Sequence, residues 1–215
     1  MNTDNFEAIK AEILKRAKEH HACTEQYGRA YKSENLAELL NVIKDNFQWA
    51  CHNFVVTPDI IEQYREDFAV NNIYLNVDSC RGFLLCYNAS VTAFDDAIVE
   101  AYGESTVNAF DNAKITAYGN SKVEAVDNVT VTAYDNVKVK AYGFVWVSAF
   151  DNTSITAFCN SKVEAFDNAS IMACGNSYCT SLNPIDCKLS ENAIYRLLGK
   201  NTIFYANDAI KFVKQ

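Results

Sequence analysis

Between Ala93 and Leu182 small or apolar positions alternate with polar ones, and alanine returns every eight residues: Ala93, Ala101, Ala109, Ala117, Ala125, Ala133, Ala141, Ala149, Ala157, Ala165 and Ala173, with Ser181 in the next slot. Written from the alanine, each octad reads Ala, aromatic, Asp or Gly, Asn, small, Lys/Ser/Thr, Val/Ile, polar. Ala109-Phe110-Asp111-Asn112-Ala113-Lys114-Ile115-Thr116 is one copy. Successive side chains of a strand point to opposite faces, so slots one, five and seven are predicted to face inward. Slots six and eight carry Lys114, Thr116, Lys122, Glu124, Lys138, Lys140, Lys162 and Glu164, which are costly to bury, so they face outward. Asp-Asn and Gly-Asn then fall where a corner belongs, because these residues tolerate left-handed backbone. A helix is excluded, since strict alternation does not follow a 3.6-residue period. A fixed period of this kind predicts a solenoid.

A second period lies inside the first. Asp follows Phe at Phe94-Asp95, Phe110-Asp111, Phe150-Asp151 and Phe166-Asp167, while Gly follows Tyr at Tyr102-Gly103, Tyr118-Gly119 and Tyr142-Gly143. The alternation predicts a sixteen-residue, two-sided coil over a three-sided coil of twenty-four. It slips once, where Asp127 and Asp135 occupy consecutive octads. Asp95, Asp111 and Asp127 should therefore stack on one edge, and Asp135, Asp151 and Asp167 on the other.

Ala101-Tyr102-Gly103-Glu104-Ser105-Thr106-Val107-Asn108 resembles the Ala-Gly-Tyr-Gly-Ser-Thr octad of bacterial ice nucleation proteins, which implies a sixteen-residue coil. The regular Thr-x-Thr arrays of that family are absent except at Thr130-Val131-Thr132. The whole chain also resembles octad-repeat proteins of phages and prophages that pair a short helical head with such a repeat. That resemblance implies no active site.

The head reads as helical. Phe6, Ile9, Ile13 and Ala17 share one face, with Thr3 or Asp4 as N-cap. A second helix is expected from about Ser33 to Asn53, with Leu36, Leu39, Leu40, Ile43, Phe47 and Ala50 on its apolar side. Residues Cys23 to Lys32 extend the first helix, form a short one, or are loop. Thr57-Pro58-Asp59 predicts a third start, with Thr57 as N-cap and Pro58 first in the helix, carrying Ile60, Ile61, Tyr64 and Phe68. Residues 73–77 and 83–87 read as strands leading into the repeat. In the tail, 193–198 and 202–205 read as strands around a turn at Gly199-Lys200-Asn201. The fold expected is thus α+β: a helical head and N-terminal cap (1–80), a parallel β-solenoid of five or six coils (81–182) and a short C-terminal β cap (183–215). Open solenoid ends need such caps.

Charge narrows the partners. The net charge is −8, and the repeat carries 5 basic against 11 acidic residues, which argues against direct nucleic-acid binding. The charged first twenty-two residues contain no signal-peptide pattern, and no stretch is long enough to span a membrane. Eight cysteines without a secretion signal read as free thiols in a reducing, cytoplasmic setting.

Three constellations carry candidate chemistry. The acidic corner stacks place like charges about 4.8 Å apart, so a cation, protonation or outward splay must relieve them; Asx-capped corners are the expectation, with no bound metal. The slot-two aromatics form ladders: Phe94, Phe110, Tyr142 and Phe158 on one face, and Tyr102, Tyr118, Tyr134, Phe150 and Phe166 on the other. In the copy Gly143-Phe144-Val145-Trp146, Phe144 replaces the usual Asn and Trp146 the usual Lys or Ser. Tyr142, Phe144 and Trp146 are expected to share one outer face as a partner-binding hot spot. His20, His21 and Cys23 with Cys51 and His52 match no zinc-finger spacing, and Cys174, Cys179 and Cys187 read as small core residues. No phosphate-cradling loop or nucleophile elbow occurs. An enzyme and a cofactor are therefore not expected. The expected function is non-enzymatic protein–protein interaction by a phage or mobile-element protein. Its acidic solenoid would inhibit a host defence or nucleic-acid-handling enzyme by DNA mimicry, as pentapeptide-repeat rods can by analogy. Rival readings are a self-assembling structural protein, including a homodimer, and a glycan or ice binder.

Overall fold

A computed structural model describes residues 3–78 and 81–206 and divides the chain into two units. The first comprises residues up to Leu75 together with Gly82–Leu85. Its described part holds six helices: α1 (Thr3–Glu19), α2 (Thr24–Lys32), α3 (Leu36–Asp45), α4 (Phe47–His52), α5 (Pro58–Gln63) and α6 (Arg65–Val70). The core gathers Ile9, Ile13, Leu39, Leu40, Ile60, Ile61 and Phe68, all buried. β1 (Ile73–Leu75) pairs in parallel with β2 (Phe83–Tyr87), Ile73 opposite Phe83.

Local chemistry divides the head more finely than apolar periodicity predicts. The expected second helix breaks at Asn46, whose side chain donates to the Val42 carbonyl at 2.8 Å. The third breaks at Tyr64. The stretch left open after Cys23 is the short helix α2. Thr3 and Asp4 both lie inside α1, so neither precedes it as its N-cap. Thr57 does stand before α5, but makes no capping bond; its hydroxyl accepts from Arg16 Nη1 at 2.7 Å. The effective side-chain cap is Asn35, which accepts the Glu38 N–H at 3.0 Å.

The second unit is a parallel β-solenoid. One sheet runs through β4 (Ile98–Tyr102), β6 (Lys114–Ala117), β8 (Thr130–Ala133), β10 (Trp146–Ala149), β12 (Lys162–Ala165), β14 (Tyr178–Ser181) and β16 (Ile194–Leu197). The other runs through β3 (Ser90–Ala93), β5 (Thr106–Ala109), β7 (Lys122–Asp127), β9 (Lys138–Gly143), β11 (Ser154–Ala157), β13 (Ser170–Ala173) and β15 (Asp186–Leu189). Neighbours pair in register sixteen residues apart, as with Val147 opposite Val131 and Val163. Each coil is therefore two octads, and the three-sided coil is excluded. There are about seven coils rather than five or six, because β15 and β16 continue the ladder beyond Leu182. β17 (Thr202–Tyr205) reverses, pairing antiparallel with β16 as the short C-terminal cap.

The inward slots behave as the alternation requires. Ala93 through Ala173, Val99 through Ile171, and slot-five residues such as Ala113, Val129, Val145 and Ser161 are all buried. Alanine in every coil holds the two sheets close, so the core is one thin layer. Buried hydroxyls in slot five reach the corner: Ser105, Ser121, Thr153, Ser161 and Ser177 each donate to the carbonyl three residues back, at 2.5–2.7 Å. These bonds satisfy polar groups that the core would otherwise strand.

Candidate functional site

Slot three is the corner, and its backbone explains its composition. Asp95, Asp111, Asp127, Asp135, Asp151 and Asp167 all have positive φ, between 50° and 69°, and Gly103, Gly119, Gly143 and Gly175 lie between 67° and 86°. Asp and Gly are among the residues that enter this left-handed region at least cost. The two acidic stacks lie on opposite edges, divided where the alternation slips. The expected Asx-type bonds form between coils instead of within a corner, because main-chain N–H groups of the preceding coil point at four of the six carboxylates. Asp167 Oδ2 accepts from the Asp151 N–H at 3.3 Å, Asp151 Oδ2 from Asp135 at 3.1 Å, and Asp135 Oδ2 from Gly119 at 2.8 Å. On the other edge Asp111 Oδ2 accepts from Asp95 at 3.3 Å. Among the described residues no group of three or more His, Cys, Asp or Glu side chains is placed to hold a metal ion.

The slot-two aromatics stack on one another. Tyr102, Tyr118, Tyr134, Phe150 and Phe166 form a continuous ladder with centroids 4.7–5.0 Å apart and nearly parallel planes. On the other sheet Phe94 pairs with Phe110 at 5.7 Å and Tyr142 with Phe158 at 4.6 Å, and Val126 interrupts the column between the pairs. Ring faces inside the ladder are thus occupied by neighbouring rings. Phe110, Tyr142 and Phe158 are half-buried; their stacking strengthens the coil and leaves their edges to solvent.

Phe144 and Trp146 are different. Phe144 stands in the Asn slot of its corner and is 68% exposed, and Trp146 opens β10 at 46% exposed. Lys162 places its ammonium 5.9 Å from the Trp146 ring centre. Tyr142 does not share an outer face with Trp146: it lies in β9 of one sheet, Trp146 begins the other, and the Gly143–Val145 corner separates them. The apolar surface therefore wraps an edge instead of lying on a sheet. On that edge the acidic column stops at Asp127, and Gly143, Cys159 and Gly175 follow in its slot. The slip in the repeat thus carries charge to the opposite edge and leaves an uncharged stretch under Phe144.

One group escaped the sequence reading. Glu100 occupies an outward slot yet is 1% exposed, with the Tyr102 hydroxyl 3.4 Å from its Oε2. Burial pushes its carboxyl up to about 8, against the opposing pull of hydrogen bonds from Thr116 and Tyr102. Burial, then the charges of Glu100 and Asp151, also raises the Tyr134 phenol. The octad of Glu100 departs from those of Glu124 and Glu164 in the outward slot six, where Ile98 stands in place of Lys122 and Lys162. Of the thiols, Cys51, Cys86 and Cys179 are buried, Cys174 and Cys187 half-buried, and Cys23 and Cys159 exposed. No helix among the described residues is long and apolar enough to cross a membrane.

No family model matches the chain, and neither curated proteins nor solved structures provide a match.

Proposed function

We propose that the solenoid is a non-enzymatic protein-binding rod whose contact patch is the corner carrying Phe144 and Trp146. The observation that supports this is the exposed Phe144 in an Asn slot, beside Trp146, on the stretch of edge where the acidic column gives way to Gly143 and Cys159. Large apolar side chains concentrated at one interruption of a polar repeat are what an interface anchor requires. Asp95, Asp111 and Asp127 continue the same edge, so a basic partner would find an acidic rim beside the anchor. Lys122, Lys138 and Lys140 project from a broad face of the rod, which favours edge-on docking. A host protein that handles nucleic acid, inhibited by a phage or mobile-element product, is the version that fits this rim and the resemblance of the repeat.

The test compares the wild-type chain with a Phe144→Ala/Trp146→Ala variant of unchanged circular dichroism. Both are used to capture protein from bacterial lysate at low and high salt. A partner that is identified, purified and rebound by wild type, but not by the variant, with binding weakened by salt, is the expected result. Equal binding by the variant removes the corner patch. No partner, with an oligomer that the variant abolishes, moves the patch to self-assembly.

A further inference from the structure

Cysteine breaks the repeat twice, in consecutive coils of one edge. In slot three every copy from Asp95 to Gly175 carries Asp or Gly except one, where Cys159 stands at φ 58°. Cysteine has neither the freedom of glycine nor the short polar side chain with which Asp holds left-handed backbone, so the corner itself gains nothing from it. In slot two every copy from Phe94 to Phe166 carries an aromatic ring except Val126, and the next position is Cys174.

Main-chain bonds bring the two departures together. The Cys174 N–H donates to the Ala157 carbonyl at 2.9 Å, and the Asn176 N–H to the Cys159 carbonyl at 2.6 Å. Gly175, between them, lies so tightly on Cys159 that a Cβ there would stand 2.8 Å from the Cys159 nitrogen. Cys174 is therefore one residue out of register with Cys159, in the next coil. A coil spacing of about 4.8 Å and a residue rise of about 3.3 Å put their Cα atoms about 6 Å apart, inside the span of roughly 4.4–6.8 Å that a disulfide bridges. Cys159 is exposed and Cys174 half-buried, so a reagent in solution meets Cys159 first, and its side chain has room to turn.

We propose that Cys159 and Cys174 are a redox pair, which a small-molecule disulfide such as glutathione disulfide converts to a disulfide between coils. The Cys159 thiolate attacks one sulfur of glutathione disulfide, the S–S bond breaks, and one glutathione leaves with the proton that Cys159 gave up. Cys174 then gives up its proton and attacks the Cys159 sulfur, expelling the second glutathione, which takes that proton. Two protein thiols lose two electrons and one disulfide becomes two thiols. Burial, then the charges of Glu191 and Cys159, raises the Cys174 thiol above its ordinary range, which leaves the first attack to Cys159. The pair stands whether or not the Phe144 corner binds a partner.

The full chain is equilibrated with reduced and oxidised glutathione, quenched with acid, digested and mapped by mass spectrometry without reduction. A thiol fixed in the next coil acts at an effective concentration about tenfold above the roughly 1 mM reduced glutathione used. Wild type should therefore yield a peptide linked through Cys159 and Cys174, with little glutathione left on Cys159. Cys174→Ser and Cys174→Ala, each with unchanged circular dichroism, should trap glutathione on Cys159 at about ten times the wild-type level. Exposed Cys23 is the internal control and should carry the same adduct in all three proteins. Equal glutathione on Cys159 in wild type and variants overturns the proposal. So does a Cys159 that stays unmodified while Cys23 reacts, or one that links to a cysteine other than Cys174.

Discussion

The main-chain N–H of Asp135 donates to Oδ2 of Asp151, one coil further on, at 3.1 Å. The same bond joins Asp151 to Asp167 and Gly119 to Asp135. A carboxylate in this column therefore does two things: it tolerates left-handed backbone, and it accepts a donor that the corner leaves over. Asp151→Asn keeps both properties and removes a like charge from the stack, so its stability should stay within about 0.5 kcal/mol of wild type. Asp151→Ala loses the acceptor and holds alanine at φ 55°, which should cost about 1–2 kcal/mol. Urea denaturation decides between them, and equal midpoints for the two variants would remove the acceptor role.

Glu100 makes stability depend on pH in the direction opposite to a salt-bridged carboxylate. Its folded-state carboxyl titrates at about 8 against a reference value of 4.5, so between these values the folded chain holds a proton that the unfolded chain has lost. Its contribution is favourable below about pH 4.5 and declines as pH rises towards 8, by up to about 3 kcal/mol at pH 7. Glu100→Gln removes the titrating group while keeping the shape. The variant should gain on wild type as pH is raised from 5 to 8, read as a growing difference in melting temperature. A difference that stays constant across this range would mean that Glu100 is ionised in the fold.

The repeat was legible because its constraints are local and repeated. Inward and outward slots follow from the period of a strand, and the shift of acid from one edge to the other follows from the slip between Asp127 and Asp135. What the octad could not convey depends on neighbours in space. Glu100 and Glu124 share an outward slot, and the apolar Ile98 in place of Lys122 does not by itself say that one is buried and the other is not. Tyr142 and Trp146 fall on alternate residues and read as one face, yet a corner between them divides the sheets. Helix breaks at Asn46 and Tyr64 are invisible to apolar periodicity, which continues on both sides. One missed feature did leave a signal: Ser or Thr recurs in an inward slot at Ser105, Ser121, Thr153, Ser161 and Ser177, where a buried hydroxyl has to find a partner.

The thin core sets a sharp limit on size. Ala149 is wholly buried and registers with Ala133 and Ala165. Ala149→Leu must part the sheets or displace a coil, at about 1–3 kcal/mol. Its neighbour Ser148 faces outward on the same strand, and Ser148→Leu should change stability by about 0.5 kcal/mol or less. Calorimetry of the pair tests the inward assignment at single-residue resolution, since a register error would exchange the two results.

Phe150 and Phe144 carry the same side chain six residues apart and should respond in opposite ways. Phe150 is stacked between Tyr134 at 5.0 Å and Phe166 at 4.7 Å, so Phe150→Ala removes two ring contacts and opens a gap in the ladder. Each contact is worth about 0.5–1.5 kcal/mol beyond burial, and a loss of about 2–3 kcal/mol is expected, with binding at the Phe144 corner retained in the folded fraction. Phe144 is mostly in solvent, so Phe144→Ala should leave the melting temperature within about 1 °C of wild type, as surface substitutions do, and abolish partner capture. Measuring stability and capture for both variants separates a ring that builds the rod from a ring that uses it. If Phe144→Ala lowers the melting temperature as much as Phe150→Ala, the corner ring is structural and the proposed contact patch loses its anchor.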